Sequence, residues 1–268
     1  MREPCIWQKP GSPAEKFWRD GHADFPIYDM HGHMGNHYAI WLKICEPADV
    51  VAHVKRIGVK RLVFSHHHAL WGLMRNAQVV EMCRQFPDTL RMYLAVVPQR
   101  EDEYREDLAQ FDRWRPYAVG LKFLPHYHQC TIMDPRYEYA LRFADERGLP
   151  VLVHTWGEEP GVYEAVCKYP NVKFFLGHSL FGAWEYAFKC VRESNNNVWL
   201  ELTAIPGERN FIERLVAGVG SERLLYGTDM PWFDEYQGTG GVLSAKITED
   251  DMRNILYRNA ERILGKDW

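Results

Sequence analysis

The sequence predicts a closed (β/α)8 barrel, an α/β TIM barrel folded as a single domain with a short N-terminal extension. Three observations carry this prediction. Short apolar, β-branched runs occur eight times, at 27–34, 61–67, 91–97, 119–124, 151–155, 172–179, 198–203 and 224–229. Each is followed by a segment that reads as a helix, and the intervals leave room for the dozen or so residues that a parallel crossover needs. The chain has 268 residues, 46% apolar and 25% charged, which suits a globular barrel of roughly 250 residues. A doubly wound open sheet is the competing architecture, but neither a G-x-G-x-x-G nor a P-loop follows the first run.

Residues 1–25 read as the extension and 26–268 as the barrel domain. In the extension Ser12, Pro13 and Glu15 start a short helix that bears Phe17 and Trp18. After the first strand Pro47 opens a helix with Val50, Val54 and Ile57 on one stripe, and Gly58 ends it. Before the fifth strand Asp134 caps a helix begun by Pro135, with Tyr137, Leu141 and Ala144 facing inward and Gly148 and Pro150 at its stop. The segment 180–195 carries only weak helix signals. Thr248 and Asp251 form a capping-box-like start for a last helix through Met252, Ile255, Leu256, Ile263 and Leu264, which Gly265 stops.

Composition also sets limits on partners. Lys and Arg number 32 against 36 Asp and Glu, a net charge of −4, so nothing in the charge invites nucleic acid or an anionic membrane. A small-molecule substrate is the expected partner, and a homo-oligomer is compatible with the sequence. Arg2, Glu3, Lys9, Glu15, Lys16 and Arg19 interrupt the N-terminal segment, which therefore lacks the apolar core of a signal peptide. No stretch reaches the roughly 20 apolar residues of a membrane span, so the expected location is cytoplasmic. Cys5, Cys45, Cys83, Cys130, Cys167 and Cys190 are scattered with no C-x-x-C pair; reduced, mostly buried thiols are expected.

In such a barrel the active site lies at the C-terminal ends of the strands. The polar residues that fall there are His31 and His33, then His66, His67 and His68, then His126 and His128, and finally His154, His178 and Asp229. Residues i and i+2 of a strand point to one face about 6.6 Å apart, so His31 and His33 can reach one cation. The histidines of the second and fourth strand ends are equally readable as surface or plain hydrogen-bonding residues. Trp71, Trp156 and Trp232 follow the second, fifth and eighth strands, either walling a pocket for a flat ring or lying in the core or a subunit interface.

The motifs Asp29-Met30-His31-Gly32-His33, Leu152-Val153-His154, Gly177-His178 and Gly227-Thr228-Asp229-Met230-Pro231, in this order and spacing, carry a resemblance. The sequence resembles the amidohydrolase superfamily, in its branch of compact metal-dependent TIM-barrel hydrolases and decarboxylases. Gly120-Leu121-Lys122, Asp134-Pro135-Arg136-Tyr137 and Asn259-Ala260-Glu261-Arg262-Ile263-Leu264 extend the likeness to 26–265. It implies that His31, His33, His154 and Asp229 bind one divalent metal ion and that His178 acts beside it. By ligand type the set suits Zn2+, and Mn2+, Fe2+ or Co2+ fit the same residues. Val119, Leu121 and Phe123 are expected to face the helices and Lys122 the interior. There Lys122 would carry a bridging carbamate, as in some superfamily members, or pair with inward-facing Glu201.

The function expected from these residues is metal-dependent hydrolysis of a small lactone, amide or similar carbonyl compound. The metal would polarise the carbonyl and lower the pKa of its bound water. Asp229 would deprotonate that water and His178 would stabilise the oxyanion or donate a proton. His66, His68, Lys122, His126, Trp156, Glu201, Arg209 and Trp232 are the candidate substrate-binding residues. Decarboxylation of an aromatic or unsaturated acid is the alternative, with Arg209 as carboxylate partner. A non-catalytic ligand-binding barrel is the third reading.

Overall fold

A computed structural model describes residues 9–203, 209–266 and 268. Eight parallel strands lie in sequence order: β1 (Ile27–Met34), β2 (Val59–His66), β3 (Leu90–Ala95), β4 (Ala118–Phe123), β5 (Pro150–His154), β6 (Lys173–Gly177), β7 (Val198–Glu201) and β8 (Leu224–Leu225). The helices before β5 are α1 (Pro13–Asp20), α2 (Pro47–Ile57), α3 (His67–Leu70), α4 (Asn76–Gln85), α5 (Glu101–Ala109), α6 (Phe111–Trp114) and α7 (Glu138–Arg147). Those after it are α8 (Val162–Lys168), α9 (Trp184–Arg192), α10 (Phe211–Val219), α11 (Glu235–Ser244), α12 (Glu249–Arg253) and α13 (Asn259–Leu264). The weakly signalled segment 180–195 thus contains α9. The last helix is interrupted by a π-helical turn, Asn254–Arg258.

The eighth strand is shorter than the sequence predicts, because only Leu224 and Leu225 pair with β7. Beyond them the chain crosses to β1 and closes the barrel: the Tyr226 carbonyl accepts from Met30 N–H at 2.9 Å and that of Met230 from His33 N–H at 2.6 Å. In the other direction the His31 carbonyl accepts from the N–H groups of Asp229 at 2.7 Å and Thr228 at 3.3 Å. Asp29 reinforces this seam, its carboxylate accepting from His31 N–H at 2.8 Å and from the Thr228 hydroxyl at 2.5 Å.

Inside the barrel Tyr28, Met30, Val63, Tyr93, Leu152, Phe175 and Leu225 form an apolar layer that Ala260 of α13 joins. Val119 belongs to this layer and not, as expected, to the helix-facing side. The register of β4 on β3 slips beside it, and one extra residue in a strand reverses the faces that follow. Leu121 and Phe123 pack in the outer core as expected. A second slip, between Asp29 and Gly32 of β1, turns His31 to the side of Met30, and His33 follows two residues on.

Gly120 shows how closely the strands approach. A Cβ there would fall 2.2 Å from the Pro150 carbonyl oxygen, which is backbone and cannot swing aside. Gly120→Ala is expected to cost about 2–3 kcal/mol of stability through overpacking, read as a lowered urea midpoint at constant slope. An unchanged midpoint would show that β4 and β5 can part freely.

The helix expected in the extension is α1, whose Ser12 cap accepts from Glu15 N–H at 3.2 Å. It lies outside the barrel against α11, with the rings of Phe17 and Tyr236 6.0 Å apart. Among the described cysteines Cys45, Cys83 and Cys190 are buried, Cys130 is partly exposed and Cys167 exposed, all free; Cys5 lies outside the described residues. Among the described residues no helix is long and apolar enough to cross a membrane.

Candidate metal and substrate site

Two buried charged residues set the orientation of His31. Its Nδ1–H donates to Glu201 Oε2 at 2.7 Å, and its Nε2 accepts from Lys122 Nζ at 2.8 Å. Thr203 ties the ring and the carboxylate together, its Oγ1 lying 2.9 Å from His31 Nδ1 while it also bonds Glu201 Oε1. Burial pushes the Glu201 carboxyl up to about 8 and the Lys122 ammonium down to about 8. The expected Lys122–Glu201 ion pair is therefore replaced by a relay in which the imidazole stands between the two groups. The wall is tight here: a Cβ on Gly227 would fall 2.0 Å from Glu201 Oε1.

Three donors converge next to this relay. His33 Nε2 lies 2.9 Å from Asp229 Oδ1, and His31 Nε2 lies 3.5 Å from the same oxygen. His31, His33 and Asp229 offer ligand atoms all within 4.8 Å of one another. His33 contacts oxygen through both ring nitrogens, since its Nδ1 lies 3.2 Å from the Ser65 carbonyl. A cation taking the place of the proton between His33 Nε2 and the Asp229 carboxylate would bind both. Burial would raise the Asp229 carboxyl, but the hydrogen bond to His33 and the fields of His31, His33 and His178 hold it well below the usual carboxylate range. Two imidazoles braced from behind by oxygen acceptors, plus one carboxylate, fit a divalent metal.

The bracing itself is testable. Glu201→Gln is expected to weaken metal affinity by about 10–100-fold, measured by competition with a chromogenic chelator. Unaltered affinity would mean that His31 is oriented by something else.

His154 stands apart from that cluster and faces His178, whose Nε2 lies 3.1 Å from His154 Nδ1. His178 follows β6 in a turn whose residues His178, Ser179 and Leu180 have φ of 60°, 52° and 53°, a conformation that side chains with a Cβ rarely adopt. The turn is held by Ser179 Oγ on the Glu201 carbonyl at 2.8 Å and by Leu180 N–H on Thr155 Oγ1 at 3.1 Å. It presents a buried imidazole whose Nδ1 has no hydrogen-bond partner among the described residues. Burial pushes His178 down to about 4 and His154 well below the ordinary imidazole range, so both are neutral at pH 7.

A cavity of about 440 Å³ opens above these groups, bounded by aromatic rings that include Trp71, Tyr127, Trp156, Trp232 and Phe233. Of the candidate substrate-binding residues, His126, Trp156 and Trp232 line it; Trp156 is half exposed at the mouth. The others do not. Glu201 and Lys122 are fully buried beneath, engaged with His31. Arg209 is exposed, two residues before α10. His66 is buried and accepts from His68 N–H at 3.1 Å as the cap of α3, while His68 is exposed.

The strand ends one residue earlier than the sequence suggests, and it is therefore His67 that enters the cavity wall. Its ring stacks on His33 at 4.7 Å and 6°. The Gly35 carbonyl accepts from its Nδ1–H at 2.6 Å, and its Nε2 accepts from Trp232 Nε1–H at 3.0 Å. His128 is structural, bonding the Tyr137 hydroxyl at 2.7 Å and the Leu70 carbonyl at 2.8 Å. Tyr127, His37 and Glu159 also line the cavity. They sit in loops with no periodicity, and only the strand-end histidines beside two of them hinted at their place.

The model of the amidohydrolase family matches residues 28–266. Among solved structures, the chain is similar to an uncharacterised TIM-barrel protein from Bordetella bronchiseptica, at 17% identity and TM-score 0.73 over 91% of this chain and 99% of that one. A 5-carboxyvanillate decarboxylase from Novosphingobium aromaticivorans, complexed with manganese, is 12% identical with TM-score 0.69 over 90% and 96%. A dihydroxybenzoic acid decarboxylase from Polaromonas sp. JS666, with manganese and the inhibitor 2-nitroresorcinol, is 14% identical with TM-score 0.68 over 89% and 96%. These likenesses show the barrel fold. A comparison with curated proteins finds no match.

Proposed function

The chain belongs to the amidohydrolase family, and from that premise we propose that it is a metal-dependent decarboxylase of small aromatic carboxylic acids. The observation that carries this reading is an aromatic-walled cavity lined by His33 and Asp229, with His31 buried directly behind them. Flat rings on several sides favour a flat substrate. The two similar decarboxylases solved with manganese support the same choice and favour Mn2+ over the Zn2+ suggested by ligand type. Hydrolysis, the reaction expected from the ligand residues alone, gives way on these grounds.

His31, His33 and Asp229 would hold the metal, with His154 as a further ligand. When bound, the metal would draw charge from the substrate carboxylate and an adjacent oxygen. Decarboxylation breaks a carbon–carbon bond, leaves its electron pair on the ring carbon and requires a proton there. Asp229, kept ionised by its imidazole neighbours, takes a proton from an acidic group of the substrate and returns it to that carbon. His178 is held neutral by burial beside His154 and acts as a fixed hydrogen-bonding partner of the reacting group. The Trp156 ring packs against that of His178, their centroids 5.3 Å apart and their planes at 67°.

The test is product chemistry with manganese-loaded protein and a panel of hydroxy- and aminobenzoates alongside lactones. Carbon dioxide released from the labelled carboxyl group, with no solvent oxygen-18 in the ring product, is the expected result. Water incorporation from a lactone with no carbon dioxide would return the assignment to hydrolysis.

A further inference from the structure

The Glu159 carboxylate in the cavity wall has no part in the chemistry above. Glu159 lies in the loop after β5 and, apart from Asp229, is the carboxylate among the described residues that line the cavity; these include no Lys or Arg. Its Oε1 accepts from Trp156 N–H at 3.1 Å. Its carbonyl accepts from the Tyr186 hydroxyl at 3.2 Å, and the same hydroxyl accepts from Tyr163 N–H at 3.1 Å, tying the loop to α8 and α9. The side chain is therefore fixed to the segment that carries Trp156, whose ring also packs on Phe181 at 5.1 Å. Among the described residues none donates a hydrogen bond to its second oxygen, Oε2. A carboxylate on an aromatic wall, with no cation beside it, accepts hydrogen bonds and opposes negative charge.

We infer that Glu159 is a specificity-determining residue. Its free oxygen accepts a hydrogen bond from a hydroxyl or amino substituent on the ring of the bound acid, and the mouth excludes rings that carry a second carboxylate there. This rests on the aromatic-acid reading of the site and deepens it. The substrate class becomes the monocarboxylate ring with a donor substituent at the end remote from the reacting carboxyl group. A hydrogen-bonding site of this kind discriminates strongly, because an analogue without the donor leaves a partly buried acceptor unpaired.

Binding tests this without turnover. The manganese-loaded protein is titrated with 4-aminobenzoate and with terephthalate, read by quenching of tryptophan fluorescence, which half-exposed Trp156 reports. The wild type is expected to bind 4-aminobenzoate at least tenfold more tightly than terephthalate. Glu159→Gln keeps an oxygen for Trp156 N–H and removes the charge; it is expected to shrink that preference about tenfold, mainly by tightening terephthalate. Glu159→Lys should invert the preference. Equal shifts for both rings, an unchanged preference, or binding of neither ring by the wild type would overturn the inference. Carbon dioxide assays on the same samples separate the two readings: turnover without Glu159-dependent selectivity overturns this one alone, and selectivity without turnover overturns decarboxylation alone.

Discussion

Replacing His31 and His33 together by alanine is expected to leave the protein without its metal. Protein purified without chelator should carry one divalent ion per chain, and the double variant less than about a tenth of one, by elemental analysis. Two of the three converging donors are lost at once, and the bracing by Glu201 and the Ser65 carbonyl then orients nothing. Chelation of the unaltered protein should abolish activity likewise. Full occupancy in the double variant would remove the assignment. Two ions per chain, lost on Lys122→Ala, would instead establish a carbamate bridge.

Substituting His178 by asparagine is expected to separate catalysis from metal binding. Asparagine tolerates the left-handed backbone that His178 occupies, at φ 60°, so the turn should survive. Metal content should stay near that of the wild type while kcat falls by about 10²-fold or more, the usual cost of losing a positioned acid/base or oxyanion partner. His154→Asn should lower both quantities. Measuring metal and rate on each variant decides the division of roles. If His178→Asn empties the site as His154→Asn does, His178 is a ligand; if it keeps full rate, His178 serves only the fold.

The barrel was legible in the sequence because its signals are local: β-branched runs, proline starts and glycine stops recur along one chain. His31, His33 and Asp229 were legible for a related reason, since the ends of parallel strands all meet at one rim. What lay beyond reach depends on register. Val119 and the histidines 66–68 were misplaced by one residue each, because a slipped β4 register and an early start of α3 are not written in hydrophobic period. Glu201 and Lys122 were correctly turned inward, yet their contact is with His31 and not with each other. Glu159 and Tyr127 sit in loops whose direction is fixed by tertiary bonds, such as that of Tyr186.

The seam between the first strand and the last has a consequence for the order in which the protein is made. The His31 carbonyl that receives the N–H of Asp229 belongs to the residue whose ring meets the Asp229 carboxylate. Closing the barrel and completing the ligand set are thus one event. A nascent chain emerging from the ribosome displays two imidazoles early and gains the carboxylate only after all eight strands have been synthesised. Until then the proposed site lacks its carboxylate, and tight binding of a metal ion would have to wait until Asp229 is in place.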